Sequence, residues 1–120
     1  MKGLQNKRVY EPSAPGDGTR LLVDRLWPRG IKKEKLQLAG WLKEVAPSAS
    51  LCKWFHHDPA RWKEFQRRYE VELEAIPNAW QPILQAARDG KVTLLFASKD
   101  EVHNNAAVLK TFLERKLPRK

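Results

Sequence analysis

Hydrophobic residues are spaced in two ways along this chain, and each spacing predicts a different element. Residues 92–97, VTLLFA, are apolar on both alternating faces, and Leu21, Leu22, Val23 and Leu26 make residues 20–27 a nearly continuous apolar run. Both read as strands covered on two sides, as in a parallel sheet. Residues 7–11, with Val9 and Tyr10, predict a further short strand that ends at Pro12 in a loop rich in proline and glycine.

Elsewhere the apolar positions recur at helical intervals. Ser48 is a fitting N-cap for a short helix that carries Leu51, Trp54 and Phe55 on one face and ends at His56 and His57. Asp58 followed by Pro59 is the sharpest helix start in the chain, because a capping carboxylate precedes a proline whose missing N–H costs nothing in the first turn. Trp62, Phe65, Tyr69, Leu73 and Ile76 then form a core-facing stripe, with a Glu64 to Arg68 pair on the opposite side. Pro77 breaks that helix, Pro82 suits the first turn of the next, and Ile83, Leu84 and Ala87 give it an apolar face until Asp89-Gly90. A last helix packs through Ala106, Leu109, Phe112, Leu113 and Leu117. Residues 31–46 mix partial alternation with helix formers around Gly40 and predict no single element.

Strands separated by helical crossovers predict an α/β fold: a small, mainly parallel sheet with helices packed on it, in a single layered domain over residues 1–120. Apolar residues at 42% and five tryptophans are enough to bury a core. No apolar stretch approaches a membrane span and the first residues lack the apolar centre of a secretory signal, so a cytoplasmic setting without a membrane partner is expected. Cys52, the one cysteine, excludes an internal disulfide and a cysteine-built zinc site, and beside Leu51 and Trp54 it reads as a buried, inert thiol.

Charge shifts the picture towards anionic partners. Twenty-three Lys and Arg against fourteen Asp and Glu leave a formal net charge of +9, a field that draws in polyanions. In open α/β sheets ligands bind outside the carboxyl ends of the strands. That address selects Asp24, Arg25, Trp27 and Arg29 after the strand at 20–27, and Ser98, Lys99, Asp100, His103, Asn104 and Asn105 after the strand at 92–97. Parallel strands would deliver both groups to one end. Arg25, Trp27, Arg29, Lys99, Asn104 and Asn105 are the expected ligand-binding residues, and Asp100 and His103 the pair able to exchange protons. The alternative for Asp100 is a plain N-cap of the last helix.

His56-His57-Asp58 supplies too few ligands for a metal, and none is expected. The chain contains no GxGxxG, GxxxxGK[ST], GxSxG, HExxH or EF-hand loop, so no cofactor is expected either.

VDRLWPRG (23–30), WLKEVAPS (41–48), KWFHHDPARWKEFQRRYEVEL (53–73) and VTLLFASKDEVHNNAAVL (92–109) occur in an order that resembles the YeaO-like proteins, a bacterial branch of a larger family of unknown function. The resemblance spans most of the chain and implies a compact α/β domain, without bringing a reaction, substrate or cofactor. In the wider family the last strand is followed by a Cys-His-Arg cluster where this chain has His103, Asn104 and Asn105. Within the YeaO-like pattern, Cys52 stands where arginine is usual and His56 where glycine is usual.

Two functions follow as expectations. The first is a small-molecule site, binding or catalytic, that holds an anionic or phosphorylated ligand between residues 24–30 and 98–105. The second is weak, non-specific nucleic-acid binding, with Lys32, Lys33, Lys35, Arg115, Lys116, Arg119 and Lys120 on phosphates and exposed tryptophans stacked on bases.

Overall fold

The computed structural model describes residues 3–117. Four parallel strands form one sheet: β1 (Gly3–Arg8), β2 (Thr19–Leu22), β3 (Gly40–Trp41) and β4 (Lys91–Phe96), in the spatial order β1-β4-β2-β3. The helices are α1 (Lys33–Leu36), α2 (Ala49–Phe55), α3 (Trp62–Glu74), α4 (Pro77–Asp89) and α5 (Asn105–Lys116), with 3-10 turns at Pro15–Asp17, Lys43–Val45 and Pro59–Arg61. The α/β class and the parallel sheet therefore stand.

Alternation along the central strands sends side chains to two different environments. Leu21 from β2 and Val23 just beyond it, with Val92, Leu94 and Phe96 from β4, face helices α2 to α5 and join Phe55, Phe65, Tyr69, Leu73, Ile83 and Leu109 in the main core. The other face is covered by connections. There Leu22 and Leu95 pack with Val9 and Leu36 against Trp27, Ile31, Leu38 and Trp41. Beside them Asp17 and Arg20 form a buried ion pair, Lys7 Nζ reaches the same carboxylate at 3.0 Å, and Gln5 joins Asp17 to Thr93.

Local chemistry explains most element boundaries. Ser48 Oγ accepts the Leu51 N–H at 3.1 Å to start α2. Asp58 Oδ1 accepts the Ala60 N–H at 3.0 Å, opening the 3-10 turn that runs into α3, and Glu64 takes Arg68 at 2.8 Å. Helix α2 ends on two left-handed residues, His56 (φ 48°) and His57 (φ 53°). The first of these is the position where the resemblance noted above implies glycine, the residue that adopts this conformation without steric cost.

Several boundaries differ from those predicted. β1 covers residues 3–8 rather than 7–11: its polar side chains are employed by Asp17 and by loop carbonyls, so alternation of hydrophobicity does not reveal it. β2 stops at Leu22, although the Val23 N–H still bonds the Leu95 carbonyl at 3.1 Å, and Asp24 to Trp27 turn away as a loop. The mixed segment 31–46 contains α1, β3 and a 3-10 turn. Pro77, not Pro82, occupies the first turn of α4, leaving Pro82 exposed inside the helix. Cys52 is exposed rather than buried. Among the described residues no helix is long and apolar enough to cross a membrane.

Candidate functional site

The chain leaves the carboxyl end of β2 towards β3, whereas it leaves β4, the neighbour of β2, into α5, which packs against β1. Two adjacent parallel strands whose connections diverge leave a crevice at their carboxyl ends. A cavity of about 580 Å³ lies there, lined by residues from loops 24–29 and 97–98, from α2 and α3, and from the start of α5. Its size falls within the range of small-molecule sites.

The two loops are tied together by one carboxylate. Asp24 Oδ2 accepts the Ala97 N–H at 2.9 Å, and its Oδ1 accepts Asn105 Nδ2 at 3.1 Å, the same amide that donates to the Val23 carbonyl. No described Lys, Arg or His pairs with Asp24 within salt-bridge distance. Burial pushes its pKa above the ordinary aspartate value, and the two hydrogen bonds offset only part of that rise. Phe55 and Phe65, stacked with centroids 4.4 Å apart, supply apolar wall, while Arg25, Arg29, His57 and His103 bring cationic or imidazole groups to the lining. Leu26, 78% exposed, also lines the opening, an apolar side chain left in water.

Arg25, Trp27, Arg29, His103, Asn104 and Asn105 all reach this one cavity, although they come from segments far apart in the chain. Their bonding divides them. Arg25 spends Nε and Nη2 on the Pro47 carbonyl, at 3.3 and 2.9 Å, so it braces the loop before α2 while carrying its charge to the wall. Trp27 Nε1 donates to the Ile31 carbonyl at 2.7 Å and the ring packs edge-on against Trp41, which makes it a fixed wall rather than a free hydrogen-bond donor. Asn104 is the N-cap of α5: its Oδ1 accepts the Ala107 N–H and its Nδ2 donates to the Asp100 carbonyl, both at 2.9 Å. Arg29 is exposed and its carbonyl takes the Tyr10 hydroxyl at 2.9 Å.

Lys99 and Asp100 are exposed and lie outside the lining. Asp100 does not cap α5. It caps the preceding turn, with Oδ1 accepting the Val102 and His103 N–H groups at 2.9 and 2.8 Å, and Oδ2 lies 3.0 Å from His103 Nδ1. The His103 N–H bond leads the contacts that hold the Asp100 carboxyl down at about 2, which leaves it an anion near neutral pH. His103 is held by that carboxylate and by the edge of Trp62, centroids 5.0 Å apart.

Tyr10, Phe55, His57 and Phe65 are lining residues that sequence reasoning placed elsewhere, as strand, core or helix end. The signal for Asp24 was present: a carboxylate inside an otherwise apolar run must have partners. Cys52 also lines the cavity; the residue is exposed overall, but partial burial of its thiol raises its pKa and disfavours the thiolate.

The surface expected to take nucleic acid is dispersed. None of the five tryptophans is exposed: Trp80 is buried, Trp54 lies under the Arg68 and Arg61 guanidinium groups, and Trp41 under Lys43 Nζ at 4.5 Å. Arg115 and Lys116 pair with Glu70 and Glu74. Lys32, Lys33 and Lys35 are exposed at α1, while Arg119 and Lys120 lie outside the described residues. Among the described residues no group of three His, Cys, Asp or Glu side chains is arranged to hold a metal ion.

Comparison with known proteins shows the family and assigns no ligand. The chain is 42% identical to the uncharacterized protein YeaO of Escherichia coli (strain K12) over 110 residues, 92% of this chain and 96% of that one. It is also 42% identical, over 106 residues, to the uncharacterized proteins Rv3073c of Mycobacterium tuberculosis (strain ATCC 25618 / H37Rv) and Mb3100c of Mycobacterium bovis (strain ATCC BAA-935 / AF2122/97), covering 88% of this chain and 89% of each. No solved structure matches. A family model described as "Inactive DUF488-N3 subclade" matches residues 3–120, and with these YeaO-like relatives it shows that the chain belongs to that family.

Proposed function

We propose that the cavity at the carboxyl ends of β2 and β4 binds a small organic anion and does not turn it over. The observation that carries this reading is the composition of a single lining: stacked Phe55 and Phe65 beside the cationic side chains of Arg25 and Arg29. Apolar surface with a few convergent polar groups is the usual character of a ligand pocket. Arg29 is the principal anion ligand, because its side chain is exposed at the opening and its planar fork suits phosphate or carboxylate. Leu26 covers the apolar part of the ligand and loses its own exposure in doing so.

Binding without turnover rests on chemistry as well as on the word "inactive" in the family description. Asp100 is too acidic to relay protons near neutral pH, the Cys52 thiol is pushed towards its neutral form, and Asn104 is occupied as a helix cap. Together, Asp100 and His103 form a positioned hydrogen-bonding arm, with Asp100 fixing the imidazole orientation.

Titration calorimetry with phenyl phosphate tests the reading. Wild-type protein is expected to bind it and Arg29→Ala to lose most of that affinity while folding within about 0.5 kcal/mol of wild type, as surface substitutions commonly do. Equal affinity in both proteins, or no binding to wild type, would refute the assignment.

A further inference from the structure

We infer that the carboxyl end of the sheet is a docking surface for an acidic, apolar segment of a partner protein, which lies across the loops after β1, β2 and β4 and reaches beyond the cavity. The carrying observation is where large apolar side chains meet water. Among the described residues four are exposed: Tyr10 (46%), Leu26 (78%), Val71 (60%) and Val102 (66%). Three of them sit in loops that leave the carboxyl ends of adjacent parallel strands, Tyr10 after β1, Leu26 after β2 and Val102 after β4. Val71, on α3, lies elsewhere. Single exposed apolar residues are ordinary, whereas several grouped at one end of a molecule mark an interaction site.

The three loops are tied to one another. Tyr10 and Leu26 line the same cavity, as does His103, the residue after Val102. The Tyr10 hydroxyl donates to the Arg29 carbonyl and Arg8 Nε to the Ser98 carbonyl, both at 2.9 Å, which joins the first loop to each of the others. Val102 and Lys99 are exposed outside the lining, so a ligand confined to the cavity leaves them uncovered. From β1 to β2, with β4 between them, is two strand spacings, about 10 Å, which an extended peptide crosses in roughly three residues.

Charge selects the partner. Arg25 and Arg29 are the exposed charged residues of the lining and stand on either side of Leu26 in the chain, and Lys99 is exposed on the neighbouring loop. The acids at this end are Asp24, half-buried and bonded across the loops, Glu11 and Asp100, which accept N–H groups of their own turns, and exposed Glu101. The cations thus flank the most exposed apolar side chain, and the formal net charge of +9 draws in an acidic partner while repelling a second copy of the chain. Leu26 and Val102 are aliphatic and offer neither a phosphate contact nor a stacking platform, which sets this face apart from a nucleic-acid surface.

Selection of displayed random dodecapeptides on the wild-type protein, followed by calorimetry on the enriched sequences, tests this. Enriched peptides should combine Asp or Glu with Leu, Ile or Phe. The double variant Leu26→Ser, Val102→Ser should bind them at least about tenfold more weakly, the scale for an apolar side chain that becomes buried. Val71→Ser, a comparably exposed position on α3, should bind them as wild type does. Thermal melts of all three proteins should nearly coincide, since the substituted positions are exposed. No enrichment, or peptides that bind the double variant as tightly as wild type, overturns the proposal. So does self-association in sedimentation, or oligonucleotide binding at physiological salt, that the double variant abolishes. The cavity is judged separately: phenyl phosphate binding without enriched peptides leaves the anion pocket and removes the docking surface, and enriched acidic peptides without phenyl phosphate binding do the reverse.

Discussion

Two aspartates flanking β2, one buried and one half-buried, have been given opposite surroundings. Asp17 is 2% exposed, and its carboxylate takes Lys7, Arg20, Gln5 and the Ala14 N–H. Burial works against its charge, but the hydrogen bonds from Lys7, the Ala14 amide and Arg20 outweigh it and hold the carboxyl below its ordinary value. Asp24 has two neutral donors and, among the described residues, no cation within salt-bridge distance, and burial wins, raising its pKa. The charge of Asp17 is spent on anchoring the Pro15–Asp17 turn over the sheet. That of Asp24 is left uncompensated where the cavity opens. A carboxylate kept at some cost in stability is the one to associate with a ligand.

The largest effect should come from breaking the first of these environments. Asp17→Ala strands Arg20 and Lys7 without their counter-charge, and removing one partner of a buried pair costs about 3–5 kcal/mol. Chemical denaturation should show that loss; a variant within 1 kcal/mol of wild type, on the order of one ordinary hydrogen bond, would mean water replaces the network.

Acid should separate the two aspartates by sign. With its folded pKa depressed, Asp17 contributes stability that is complete above the ordinary aspartate value of about 4 and is lost as pH falls through the folded pKa. Asp24, with its folded pKa raised, does the reverse: its contribution is most favourable below the ordinary value and declines as pH rises through the folded pKa. Denaturation midpoints measured across this range should therefore lose an acid-sensitive component in Asp17→Asn and a component of opposite slope in Asp24→Asn.

At neutral pH, Asp24→Asn should cost no more than about 1 kcal/mol, because the amide can retain one of the two hydrogen bonds and removes a buried charge. A loss comparable to that of Asp17→Ala would make Asp24 structural and erase the contrast. The smallest change expected is a gain. His56→Gly relieves a left-handed residue at the end of α2, and after the greater flexibility of glycine in the unfolded chain is subtracted about 0.5–1 kcal/mol should remain, visible as a raised melting temperature.

The contrast also shows what could be read from residues alone. Strong local chemistry was legible: Ser48 and Asp58 cap where their side chains predict, and the double-sided apolar runs of β2 and β4 are buried neighbours. Their adjacency is what brings the 24–29 and 97–98 loops to one cavity, so the address of the candidate site could be derived before its details. Capping in the turn before α5 was less legible, since Asp100 and Asn104 are both good caps and only the path of the chain assigns the helix to Asn104. β1 was hidden for a different reason. Gln5 and Lys7 look solvent-facing until the turn at Asp17, twelve and ten residues on, folds over them. The contribution of α2 and α3 to the cavity depends on how His57 leaves its helix, and a left-handed backbone at a non-glycine residue announces itself in no hydrophobic pattern.

The strand order has a consequence in time. β1 bonds to no strand but β4, and the side chains of Gln5 and Thr93 that meet across them are 88 positions apart. During synthesis β1 emerges with its backbone unpaired and waits while β2, β3 and the first four helices are made, because the place between β1 and β2 belongs to a strand that comes later. Such long-range parallel pairing is slow, and an unpaired strand is exposed to wrong partners until it closes. The polar composition of β1, GLQNKR, which makes it inconspicuous as a strand, also makes it a poor template for aggregation during that interval.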